Sequence, residues 1–248
     1  MQIAVLALSS SHGPWDQLLK YGPERTWLLN SRIIKYCKIQ GRDFSYRDKL
    51  INLVLNSRFA DNLWIKRKIN LNKIFVNESK NNKLIIDLGE NWGNLTIKTL
   101  KGLEYLLSKC EFDYLIRINS TAYIEVEKLI GQLGALGWPD YAGPIAKDKS
   151  FVSGWAIVLS RKAMEILINA PYQDVIFDDE FIGRELARKN VFPMPLPYLE
   201  FNANSDVLIN RKKLMSTAIW RFKILNSKGV RCDNEYMNIF HNEVLKDG

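Results

Sequence analysis

The stretch FDYLIRINSTAYIEVEKLI, residues 112–130, decides how the chain is read. Tyr114–Ile118 alternates like a strand, and Val126–Leu133 has the spacing of a helix. Between them stand Asn119, Ser120 and Thr121, three uncharged polar residues at a strand–loop–helix junction. In α/β proteins such junctions lie at the carboxyl ends of strands, where ligands bind. The question is why this one carries no charge.

Working outward, the same alternation repeats. Upstream, Leu95–Ser108 is an amphipathic helix, with Leu95, Leu100, Leu103, Leu106 and Leu107 near one apolar stripe and Thr99 in line between Leu95 and Leu103. Before it come a strand at Lys83–Leu88, a mixed basic stretch over residues 43–68 read as helix, a strand at Ile33–Ile39 and a fully apolar strand over residues 3–8. Downstream follow a short strand at Tyr141–Ile145, a strand within VSGWAIVLS (152–160), helices at Arg161–Ile168 and from Asp178 to Lys189, a proline-rich extended run, and a closing helix at Asp233–Leu245. Strands and helices alternate with no evident linker or repeat, which predicts a single α/β domain with a mostly parallel sheet. One rim of that sheet then carries Ser9, Ser10 and His12, the Asp87–Trp92 loop and Asn119–Thr121, with Asp178 and Asp179 added from a helix start. Carboxylates at a helix N-terminus are also favoured by the helix dipole alone.

Composition narrows the function classes. The chain has 248 residues, 47% apolar and 25% charged, with a net charge of +8. No apolar run approaches the roughly 18 residues of a spanning helix. The N-terminus lacks the basic start of a signal peptide, so a cytoplasmic protein is expected. Three cysteines (37, 110 and 232), far apart and without metal-ligand spacing, read as free thiols. The basic residues are spread along the chain and no nucleic-acid-binding motif accompanies them, so nucleic acid is not the expected partner. The charge is first of all that of a solvated basic surface; beyond that it suits an anionic small substrate, or a peripheral association with an anionic membrane surface.

The residues now assembled resemble a known family. NLTIKTLKGLEYLLSKCEFDYLIRINSTAYIEVEKLI (94–130) resembles the core of the family 31 glycosyltransferases, the β1,3-galactosyl- and N-acetylglucosaminyltransferases and their Fringe relatives. There an Asn-Leu-Thr-x-Lys-Thr helix precedes a strand ending in Lys-Thr-Asp-Asp-Asp. Arg117 matches the basic residue, and Asn119, Ser120 and Thr121 fall on the acidic triplet. Arg25-Thr26-Trp27 is similar to an Arg-x-Thr-Trp segment, and Ser153-Gly154 through Ser160 to a glycine-rich turn and strand. Asp178-Asp179-Glu180-Phe181-Ile182-Gly183 is similar to the acidic pair that carries the catalytic base. The likeness is good over residues 85–190, weak at the N-terminus and missing over 42–75.

The resemblance implies a GT-A fold with a Rossmann-like nucleotide-sugar half (1–121) and an acceptor and catalytic half (122–248). It implies inverting transfer from a nucleotide-sugar, UDP-linked by default, to a glycan or glycolipid; with no anchor read in the sequence, cytoplasmic intermediates such as those of a surface polysaccharide are the expected acceptors. Such transfer needs a base for the acceptor hydroxyl and positive charge for the departing diphosphate. Asp179 is the expected base and Asp178 its neighbour. The expected donor contacts are Ser9, Ser10, Arg25, Arg117, Asn119, Ser120, Thr121, Arg221 and Lys223. The expected acceptor contacts are Trp92, Gly154 and Trp155, while Trp15 and His12 suit either the border of the nucleotide base or, equally, a loop helix packed on the sheet. In the family the acidic triplet holds Mn²⁺, for which Asn, Ser and Thr are poor ligands. Asp113 lies about 20 Å of strand away, and Glu125 and Glu127 suit the start of a helix. Three readings follow: a metal-independent enzyme that uses Arg25, Arg117, Arg221, Lys223 or Arg231; an inactive glycan- or nucleotide-binding relative; or a Mn²⁺ or Mg²⁺ held elsewhere, with His241. The first is the leading expectation.

Overall fold

The computed structural model describes residues 1–10, 13–42, 76–79, 83–89, 94–145, 150–172, 177–202 and 216–246. The helix expected over 43–68 lies outside them, as do His12 and Trp92. The described strands are β1 (Ile3–Leu8), β2 (Ile33–Arg42), β3 (Val76–Ser79), β4 (Lys83–Gly89), β5 (Tyr114–Ile118), β6 (Ala122–Ile124), β7 (Tyr141–Gly143), β8 (Ala156–Ser160), β9 (Met194–Pro195), β10 (Tyr198–Phe201) and β11 (Ile219–Phe222). The helices are α1 (Trp15–Tyr21), α2 (Leu95–Lys109), α3 (Val126–Ala135), α4 (Arg161–Ile168), α5 (Asp178–Ala187) and α6 (Asp233–Lys246).

The large sheet runs β3-β4-β2-β1-β5-β8-β7-β9. Its centre, β4-β2-β1-β5, is parallel throughout, as the alternation of strands and helices led one to expect. Antiparallel β8 on β5 and β3 on β4 bound that block. Because both faces of the central strands are covered, β1 is buried at all six positions. Its alternate residues serve two cores. Ile3, Val5 and Ala7 join Tyr114, Ile116 and Ile118 against α3 and α6, while Ala4, Leu6 and Leu8 join Leu115 and Ile157 against α2, α4 and α5. Helix α2 lies hard on β1: a Cβ on Gly102 would stand 2.6 Å from the Leu6 side chain.

Two features depart from the sequence reading. A second, three-stranded sheet, β10-β11-β6, lies under α6, its Tyr123, Trp220, Phe222 and Phe201 packed on Phe240. Its strands are only three or four residues long, and β6 occupies part of what was read as a loop between strand and helix. The strand expected across 152–160 begins at Ala156, because Ala156 N–H closes a turn onto the Ser153 carbonyl at 3.3 Å. That turn carries Gly154.

Candidate active site

Antiparallel pairing sets the site. Ile118 at the end of β5 lies opposite Ala156 at the start of β8, so the turn holding Gly154 meets the carboxyl ends of β1 and β5. At this rim is a cavity of about 410 Å³. Its wall is Leu8, Ser9 and Ser10 after β1, Trp15 on α1, Leu95 and Lys98 on α2, Arg117, Asn119 and Ser120 at β5, Gly154, and Phe177, Asp178 and Asp179 at α5. Ser9, Ser10, Arg117, Asn119, Ser120, Gly154 and the acidic pair thus meet as the sequence reading placed them, and Trp15 borders them.

The two carboxylates are in different situations. Asp178 is buried, and its Oδ2 takes the Arg117 Nη2 at 2.5 Å and the Thr99 hydroxyl at 2.6 Å. Burial pushes its carboxyl above the usual range; Arg117 and Thr99 pull it back, and the Asp179 charge adds to the rise. Asp178 therefore ties the start of α5 to β5 and α2. Asp179 is half-buried. Its Oδ2 accepts the Gly154 N–H at 2.8 Å and its Oδ1 the Glu180 N–H at 3.0 Å, which leaves the carboxylate held at the cavity wall by backbone donors. Of the pair, Asp179 is the one whose carboxylate is not committed to a buried cation.

The Asn119–Thr121 junction is a self-satisfied turn. Asn119 Oδ1 accepts from Thr121 N–H at 3.0 Å and from its hydroxyl at 2.6 Å, and Ser120 and Thr121 are buried. This arrangement does not fit the hard dication that the family resemblance implies. The turn carries no carboxylate, and its amide oxygen already accepts twice. Among the described residues, no group of three or more His, Cys, Asp or Glu could hold a metal ion.

Several expected contacts stand elsewhere. Thr121 turns inward and is not part of the wall. Arg25 lies over the Tyr21 ring, 4.5 Å from its centroid. Arg221 and Lys223 are drawn to Glu200, at 3.4 and 2.8 Å, because β10 pairs beside β11 with Glu200 opposite Arg221. Arg231 is paired with Asp233 at 2.5 Å and its guanidinium lies 5.8 Å from the Trp15 ring. Trp155 is buried, with Tyr198 edge-on at 5.5 Å and Arg221 over it at 5.5 Å, so it offers no open face for a sugar. His241 meets the Tyr123 hydroxyl at 2.7 Å in the second sheet. Asp113, at the opposite end of β5, accepts the Gln2 N–H, and Glu125 caps α3 through the Lys128 N–H.

The site also holds residues the sequence reading passed over. Lys98 is buried, lines the cavity and donates to the Ser9 carbonyl at 3.1 Å. Thr99 anchors Asp178. Thr99 carried a signal, lying in line with the apolar stripe; Lys98 carried none, because only the structure shows α2 buried on every side from Thr96 to Leu103. Phe177, half exposed beside the acidic pair, had no sequence signal beyond its neighbours.

Residues 63–137 match the family described as galactosyltransferase, less than a third of the chain. The match takes in α2, β5, the Asn119 turn and α3, and ends before Gly154 and the acidic pair. It begins inside residues 42–75, where the sequence reading found no likeness. No curated protein matches the chain. Solved structures of similar shape include a glycosyltransferase involved in glycosylation of the major capsid of PBCV-1, at 8% identity over 97% of this chain and 98% of that one, TM-score 0.45. They also include the galactosyltransferase LgtC with donor and acceptor sugar analogues, at 7% identity over 97% and 95%, TM-score 0.43. A third is the inositol-1-phosphate CTP transferase from T. maritima, at 10% identity over 97% and 96%, TM-score 0.46. Likenesses of this size say nothing of this chain's activity.

Proposed function

We propose that the protein is a glycosyltransferase that moves a sugar from a nucleotide-sugar to a hydroxyl acceptor with inversion and without a metal. The observation that carries this reading is Asp179, a carboxylate fixed by the Gly154 amide at the wall of a cavity whose other charged groups are Lys98, Arg117 and the spent Asp178. In the reaction, the acceptor oxygen attacks the anomeric carbon from the face opposite the diphosphate. Asp179 takes its proton, and the bond to the diphosphate oxygen breaks with its electron pair. The partial family match over the same rim supports the reading. A family 31-like assignment, a UDP-sugar donor, a glycan or glycolipid acceptor of surface polysaccharide synthesis, and work in the cytoplasm or at the inner membrane face rest on the resemblance and the net charge. No helix among the described residues is long and apolar enough to cross a membrane.

The test is a thermal-shift panel of nucleotides and nucleotide-sugars in EDTA. A ligand well above its Kd raises the melting temperature by mass action. One nucleotide-sugar class is expected to stand out, and a panel with no shift overturns the reading.

A further inference from the structure

The cavity has a feature that base catalysis does not use. Arg117 is 3% exposed and lines the cavity, yet among the described residues only Asp178 engages it, at Nη2. Its Nε and Nη1 are buried with no partner among the described residues. Unmade hydrogen bonds on a buried guanidinium are costly, and native sites usually supply the missing acceptors from water or ligand. A second buried cation, Lys98, reaches the same cavity from α2 and is held at the Ser9 carbonyl. The two arise from different elements, a strand end and a helix turn, and each is fixed before any ligand arrives. Meanwhile the neighbouring turn, where a metal would be expected, has its amide oxygen closed by Thr121.

We infer that Lys98 and Arg117 form a built-in anion subsite for a phosphoryl or diphosphate group, filling the place of a metal ion. The inference rests on the reading above and adds which groups meet the phosphates. A planar guanidinium with nitrogens to spare offers directional donors to phosphoryl oxygens, and a lysine adds a point charge. The wall hydroxyls of Ser9 and Ser120 are neutral and do not compete for the anion. Arg117 then has two tasks: one nitrogen anchors Asp178, and the remaining ones are left for the ligand. Sharing of this kind couples anion binding to the seat of the acidic pair.

The experiment is calorimetric titration with inorganic pyrophosphate, in EDTA, of the wild-type protein, Lys98→Met and Arg117→Lys. Lys98→Met keeps the buried stem and removes the charge. Arg117→Lys keeps a cation for Asp178 and removes the idle nitrogens. Pyrophosphate is expected to bind the wild type in EDTA, more weakly as salt rises, with no gain from Mn²⁺. Each variant is expected to weaken it on the order of 10- to 100-fold, the scale of a lost hydrogen bond to a charged group. Binding only with Mn²⁺, no binding by folded wild type, or unchanged affinity in both variants overturns the subsite. If either variant fails to fold, the wild-type titration still decides. A nucleotide-sugar that stabilises the protein while pyrophosphate fails overturns this subsite alone; a panel with no active nucleotide-sugar overturns the function.

Discussion

Gly154→Ala isolates the contact that seats the proposed base. Gly154 does not sit at positive φ, so alanine suits its backbone, and any effect must come from the added methyl. That methyl would stand 2.8 Å from Asp179 Oδ2 and 3.1 Å from its Cγ, about half an ångström inside ordinary contact. The carboxylate must retreat or rotate, which stretches the 2.8 Å bond from the Gly154 N–H. A misplacement of about 1 Å at a reacting group costs about 10²-fold, so half that distance with a weakened hydrogen bond predicts a loss of about 10- to 100-fold in kcat. Donor affinity is expected to hold, since the proposed role of Asp179 is to take the acceptor proton and not to bind the phosphates. Stability should change little, because alanine also restricts the unfolded chain, by about 0.4–1 kcal/mol. The assay is steady-state release of nucleotide diphosphate with KM and kcat separated, beside a melting curve. Turnover at the wild-type rate would refute the seating of Asp179, as would a loss lying wholly in donor KM.

Thr99→Val removes a hydroxyl from the buried Asp178 carboxylate while keeping shape, and should cost about 1–3 kcal/mol in urea unfolding; an unchanged midpoint would show that Thr99 does not anchor α5. Arg25→Gln should leave nucleotide-sugar affinity as it is, since Arg25 stacks on Tyr21 away from the cavity, and a tenfold loss would return it to the donor site. Burial lowers the His241 pKa, so the neutral ring is the form the fold prefers. Its contribution is present above the ordinary imidazole value and is lost as pH falls below about 6.5. Melting temperature should fall between about pH 7 and pH 5 by more in wild type than in His241→Phe, and parallel curves would contradict this.

Local pattern carried much of the fold. Tyr114–Ile118 has the bounds that alternation gives, and Asp178 begins α5 where an acidic pair suits the helix dipole. The rim followed from topology, because residues after parallel strands come to one edge; Ser9 and Asn119 needed only that rule, whereas Asp179, at a helix start, was picked out by the family likeness. The second sheet was not legible. β6 offers three residues of pattern, and its partner β11 lies near the far end of the chain. Without the pairing of β10 on β11, Arg221 and Lys223 read as free cations, although the register puts Glu200 beside them. Trp155 likewise gave no sign that Tyr198 and Arg221 would cover it. Thr99 was visible as a polar residue on an apolar helix stripe, while Lys98 lay off that stripe and its burial shows only in the fold.

The most direct test of the central claim is nucleotide-sugar turnover by wild type and Asp179→Asn, in EDTA, with the donor taken from the thermal-shift panel. NMR follows both the released nucleotide diphosphate and the anomeric configuration of the product. The account predicts metal-free turnover by the wild type with inversion. Asp179→Asn should bind the donor nearly as well and turn over about 10²- to 10⁴-fold more slowly, the worth of a general base. Tight donor binding with no wild-type turnover on any acceptor, or near-wild-type turnover in Asp179→Asn, would contradict it.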